Sequence, residues 1–68
     1  MKIIKTIGQI KNDNGAFDIC VVDVNKRIWL ATCDKKTDEF DFLETVKDIS
    51  DAISKSNKRF GKQGGDDI

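Results

Sequence analysis

At 68 residues, with 12 basic and 12 acidic side chains, two cysteines and no histidine, the chain has room for one domain and lacks the four Cys or His ligands of a structural zinc site. A domain this small buries only about 60% of the surface its unfolded chain exposes, so its core supplies roughly 3–5 kcal/mol unless exceptional packing or a partner chain reinforces it. Zero net charge withholds the basic balance that nucleic-acid-binding domains normally show.

Residues 2–11 combine four isoleucines with Thr6, a β-branched set that predicts a strand. The alternation is imperfect, because Ile3/Ile7 and Ile4/Ile10 fall on opposite faces. Gly8 in the middle argues against a helix and is read as a bulge that switches the inward face. Charges interrupt the apolar residues of this segment, which fits neither the apolar core of a signal peptide nor a membrane span. The expectation is a cytoplasmic protein with no membrane association, whose two cysteines are free thiols in a reducing compartment.

Asn12-Asp13-Asn14-Gly15 is the strongest local signal and predicts a three-residue hairpin loop, with Gly15 in the left-handed position of a bulge. A second strand is expected at 16–24, a two-residue turn at Asn25-Lys26, and a third strand at 27–34. From Asp41 the period changes. Phe42, Leu43, Val46, Ile49 and Ile53 recur at helical steps, with Asp41 as N-cap and Glu44 as its capping-box partner; Thr37 or Asp38 is an alternative start one turn earlier. Acidic residues early and Lys55, Lys58 and Arg59 late complement the helix dipole, and Gly61 stops the helix. Residues 62–68 have little to bury and are expected to form a flexible tail.

The fold expected is therefore α+β over residues 1–61: a three-stranded antiparallel β-meander, then one C-terminal amphipathic α-helix packed on one sheet face. A turn at Asn25-Lys26 pairs Val24 with Arg27, Val22 with Trp29, Cys20 with Ala31 and Asp18 with Cys33. Phe17, Ile19, Val21, Ile28 and Leu30 then share one face, the natural partner of the helix. Cys20, Val22, Val24, Trp29, Ala31 and Cys33 share the other. One helix covers only one face, and a wet second face ought to alternate with polar residues. This one stays apolar, which marks an interaction site, with tryptophan as its anchor. The competing reading has the loop at 35–40, the tail or Phe60 folding across it. Cys20 and Cys33 fall on diagonal positions, too far apart for a disulfide.

Signs of catalysis are weak. Without histidine the usual Cys-His nucleophile pair is impossible, although Lys35 and Lys36 near Cys33 act to lower its pKa. Asp34, Asp38, Glu39 and Asp41 are explained by a solvated acidic helix start. The spacing matches no calcium loop, and Gly64-Gly65 sits in the tail with no strand before it. No cofactor or metal is expected.

Charge is distributed unevenly: residues 1–37 carry seven basic and four acidic groups, 38–51 carry six acidic groups against Lys47, and 52–68 carry four basic against two acidic. The function expected is a small non-enzymatic protein-interaction module, in the style of a compact inhibitor or modulator from a phage or mobile element, a class that the Lys- and Ile-rich composition suggests. Val22, Val24, Trp29 and Ala31 would meet a protein partner or a second copy in a homodimer, and Glu44, Asp48 and Asp51 would steer a basic partner. The alternative is a single-stranded nucleic-acid binder using Lys26, Arg27, Lys58 and Arg59, with Trp29 as a stacking platform.

Overall fold

The computed structural model describes residues 1–13 and 15–61. An antiparallel sheet is followed by one C-terminal helix, and the sheet has four strands where three were expected: β1 (Lys2–Asn12), β2 (Gly15–Val24), β3 (Arg27–Asp34) and β4 (Phe40–Thr45), in the order β1-β2-β3-β4. The helix, α1, spans Ile49–Phe60. The expected tail at 62–68 and the loop residue Asn14 lie outside the described residues.

The β2–β3 hairpin has the expected register: Val24 pairs with Arg27, Val22 with Trp29, Cys20 with Ala31 and Asp18 with Cys33. Asn25 and Lys26 both take positive φ, 54° and 66°, the combination that lets a two-residue turn follow the natural twist of its strands. Gly15 has φ 128°, a conformation L side chains rarely adopt, and pairs directly with Asn12. In β1 the register shifts twice, between Ile3 and Lys5 and between Thr6 and Gly8. Each shift inserts one isoleucine, Ile4 or Ile7, and explains why the alternation there is broken.

The expected helix start at Asp41 is corrected by β4. Asp41 pairs with Thr32, Phe40 with Cys33 and Phe42 with Ala31, followed by a bulge opposite Leu30/Ala31. The loop before β4 closes on Asp34, whose N–H donates to the Glu39 carbonyl at 2.9 Å and whose carbonyl accepts from the Asp38 N–H at 2.8 Å. Without β4, the outer backbone groups of β3 would lack ladder partners, and this supplies the physical reason for a strand here. Asp38, the alternative helix start, instead takes φ 61° in this loop.

The helix begins at N-cap Asp48, with Oδ1 accepting from the Asp51 N–H at 2.8 Å. Asp51 Oδ2 reaches back to the Lys47 N–H at 2.9 Å. The two bonds together resemble a capping box shifted by one residue, with Asp51 bonding the N–H that precedes the cap, and the cap lies seven residues later than Asp41. Gly61 ends the helix with φ 79° and donates to the Asn57 carbonyl at 2.8 Å.

One buried cluster comprises Ile19, Val21, Leu30, Val46 and Ala52, with Ile7, Ile10, Ile28, Leu43, Ile49 and Phe60 at its margin. Leu43, Val46 and Ile49 reach it from a strand, a link and a helix respectively. The sequence pattern therefore grouped residues with a common destination and mistook them for a single element. The helix presents Ile49, Ala52, Ser56 and Phe60 at steps of three and four, while Ile53 remains 43% exposed.

Candidate interaction face

Successive residues of a strand point to opposite faces, and directly paired residues share one. The register therefore lays the second face out in rows: Ile3, Val22, Trp29 and Thr45; then Thr6, Cys20, Ala31 and Phe42; then Gln9, Asp18, Cys33 and Phe40. Its floor is a second buried cluster of Cys20, Val22 and Ala31, packed by Val24, Trp29, Cys33 and Phe40.

Of the residues expected to meet a partner, Val22 and Ala31 are fully buried and form this floor. Val24 and Trp29 are half-buried and reach the surface. The larger exposed apolar groups are two outside the expected partner-binding set, Ile3 at 50% and Phe42 at 45%. Trp29 and Phe42 form a tilted aromatic pair with centroids 6.0 Å apart, within the range in which ring quadrupoles attract. Phe42 was hidden by its fit to the helical stripe. Its two-residue spacing from Phe40 was the available signal. At the turn end of this face, Val24, Asn25, Arg27 and Trp29 line an open recess of about 360 Å³.

Part of the competing reading also holds a place here. Phe40, the last residue of the segment 35–40, packs on the floor cluster, whereas Phe60 belongs to the other core.

The expected acidic surface is internally engaged. Glu44 lies on β4, with Oε2 3.2 Å from Arg59 and Oε1 3.8 Å from Lys55 Nζ. Asp51 Oδ2 lies 3.3 Å from Lys55 Nζ, and Asp48 caps the helix. The N–H of Lys47, first, and the Lys55 ammonium hold the Asp51 carboxyl below the usual range. The four basic residues of the nucleic-acid alternative occupy two places. Lys26 and Arg27 sit at the β2–β3 turn, while Lys58 and Arg59 end the helix beside Glu44.

Both cysteines are free. Cys20 Sγ lies 3.9 Å from Thr6 Oγ1, and Cys33 Sγ donates to the Asp34 carbonyl at 3.8 Å. Burial pushes both thiols up. At Cys33 the nearby Asp38 and Asp18 add to the rise, and together with burial they outweigh the opposing Lys35. This disfavours the thiolate that nucleophilic chemistry uses.

Among the described residues no group of three or more His, Cys, Asp or Glu side chains is placed to hold a metal ion. No helix among them is long and apolar enough to cross a membrane. Comparison with protein-family models, with curated proteins and with solved structures finds no match for this chain.

Proposed function

We propose that this chain is a small non-enzymatic protein-interaction module, an inhibitor or modulator in type, that docks through the sheet face around Trp29. In this reading α1 covers the Ile19–Val21–Leu30 face, and the opposite face is left to a partner. The observation that carries the reading is the exposure of Ile3 and Phe42 beside Trp29, over a floor that is already buried. A monomer that needed nothing on this face would place polar side chains there. Aromatic residues clustered over a packed floor resemble the centre of an interface, where a few anchors carry most of the affinity. Arg27 at the rim of the recess adds a donor fork suited to a carboxylate on the partner.

The test compares three immobilised forms: wild type, Phe42→Asp on the face, and Lys58→Glu on the helix. A binding protein from native cell extract, or a second copy, that is retained by wild type and Lys58→Glu but lost with Phe42→Asp supports the reading. Binding that tracks Lys58, or no binding dependent on Phe42 in either form, refutes it. Circular dichroism of each form checks that the fold is intact.

A further inference from the structure

We infer that the occupant of the Trp29 face is an acidic protein surface, apolar in its middle and carrying carboxylates at both ends of the contact. The inference rests on the reading of that face as a docking surface, and names the chemistry of its partner. It is carried by which charges the register puts on this face and which of them are already engaged.

Direct strand pairs place Lys2, Lys5, Asp23, Asp34, Asp41 and Glu44 on the opposite face, with Val21 and Leu30. The Trp29 face keeps three cations, Arg27, Lys11 and Lys35, against one carboxylate, Asp18. Lys35 belongs to it because its N–H donates to the Ala16 carbonyl and its ammonium reaches Asp18. Both oxygens of Asp18 are engaged, Oδ2 by Lys35 at 3.3 Å and Oδ1 by Gln9 at 3.5 Å. Arg27 and Lys11 are exposed and make no ion pair with the described residues, and the same holds for Lys26 in the turn. The free charge of this face is therefore positive, and it sits at the two ends.

Arg27 lies opposite Val24, and Lys11 opposite Ala16. Along β2 those positions are roughly 27 Å apart at about 3.4 Å per residue. Between them lie the exposed Ile3 and Phe42 and the half-buried Trp29. A partner that covers this middle also desolvates the ends. A carboxylate facing Arg27 then forms a charge-assisted pair, whereas a cation there meets repulsion. The recess of about 360 Å³ lined by Val24, Asn25, Arg27 and Trp29 has room for the entering side chain. A second copy does not meet this need, because it brings the same cations and no free carboxylate. A nucleic-acid strand does not meet it either. It carries a phosphate at every nucleotide, and the rows of Trp29 and Phe42 hold no cation to neutralise those in the middle.

The experiment titrates the protein with two peptides of about ten residues, long enough when extended to span both ends. They share a middle of leucine and phenylalanine; one is flanked on each side by glutamates and the other by lysines. Binding is read from backbone amide shifts by NMR and from the fluorescence of the sole tryptophan. The glutamate peptide is expected to shift the amides of Arg27, Trp29 and Phe42 and to bind more weakly as salt rises. The lysine peptide is expected to bind at least about tenfold more weakly. Arg27→Glu and Lys11→Glu are each expected to weaken the glutamate peptide by about threefold to tenfold, whereas Lys58→Glu, the same change of charge on α1, leaves it unaltered. Arg27→Gln is expected to give a smaller loss and covers the case in which Arg27→Glu does not fold. Equal binding of the two peptides, no binding of either, or shifts confined to α1 overturns the inference. So does tighter binding of an oligothymidylate of similar length, or a wild type that dimerises through Phe42 without peptide. Equal binding that is lost with Phe42→Asp removes the acidic partner and leaves the docking face standing; equal binding that Phe42→Asp does not alter removes the reading itself.

Discussion

Ala52 and Ile53 are neighbours on the helix, and the two stripes that compete for the core assign them opposite fates. In the structure Ala52 is fully buried and Ile53 is 43% exposed. Ala52→Val forces two extra methyl groups into a packed site, at a cost of about 1–3 kcal/mol. A β-branched residue in place of alanine adds roughly 0.5 kcal/mol of lost helix propensity. Ile53→Ala gives up only part of the roughly 1.5–3 kcal/mol that full burial of an isoleucine is worth. Roughly half of that is offset by the better helix propensity of alanine, so the net loss is below about 1 kcal/mol. Against a total near 3–5 kcal/mol, the first substitution removes a large share of the stability and the second a small one. Urea denaturation, followed by the fluorescence of the sole tryptophan, resolves the two. With a slope near 1 kcal/mol per molar for so small a domain, the midpoint falls by about 1.5–3.5 M for Ala52→Val and by less than about 1 M for Ile53→Ala. A greater loss for Ile53→Ala than for Ala52→Val would mean that the 42/46/49/53 stripe is the true helix face and that β4 is misplaced.

Asp48→Ala removes the N-cap and is expected to cost about 1 kcal/mol, whereas Asp41→Ala, at the displaced cap position, stays within about 0.5 kcal/mol; the urea midpoints of both variants check this. The Asp51 carboxyl is held low by the Lys47 N–H, so its contribution is fully present above its unfolded value and is lost as pH falls through the lower folded one. Asp51→Asn is therefore expected to flatten the acid limb of stability against pH in that window, read by thermal melts. Lys26 holds φ 66° in the second turn position, where glycine avoids the side-chain penalty, so Lys26→Gly is expected to raise stability by about 0.5–1 kcal/mol. Both thiols are raised by burial, so iodoacetamide is expected to modify the half-buried Cys33 only at alkaline pH. Modification of the buried Cys20 is expected to wait for unfolding; fast labelling of either at pH 7 would contradict this.

Local chemistry alone determined much of this protein. The Asn25-Lys26 turn set the β2–β3 register, because side chains alternate with period two and a fixed turn length leaves no slack. That register in turn separated Ile19, Val21 and Leu30 from Cys20, Val22 and Ala31. Gly8 announced a bulge, and Gly61 ended the helix through its freedom at positive φ. The element occupied by residues 40–47 was decided only in three dimensions. Phe42, Leu43, Val46 and Ile49 fit a helical period equally well, and nothing nearby in sequence records that the outer edge of β3 needs a partner. Once Phe40–Thr45 pairs with that edge, Phe42 joins Trp29 on the far face. The helix is then capped at Asp48, because Asp48 accepts from the Asp51 N–H while Asp51 accepts from the Lys47 N–H. The candidate site followed the same division. Trp29 and Val24 were legible from strand alternation, while Ile3 and Phe42 were brought beside them by a bulge in β1 and by the pairing of β4. Of the acidic residues expected to steer a partner, Glu44 and Asp51 are tied up in ion pairs, since the strand that carries Glu44 lies within reach of Lys55 and Arg59. Such long-range pairings are set by the fold as a whole, which is why alternation and spacing did not reveal them.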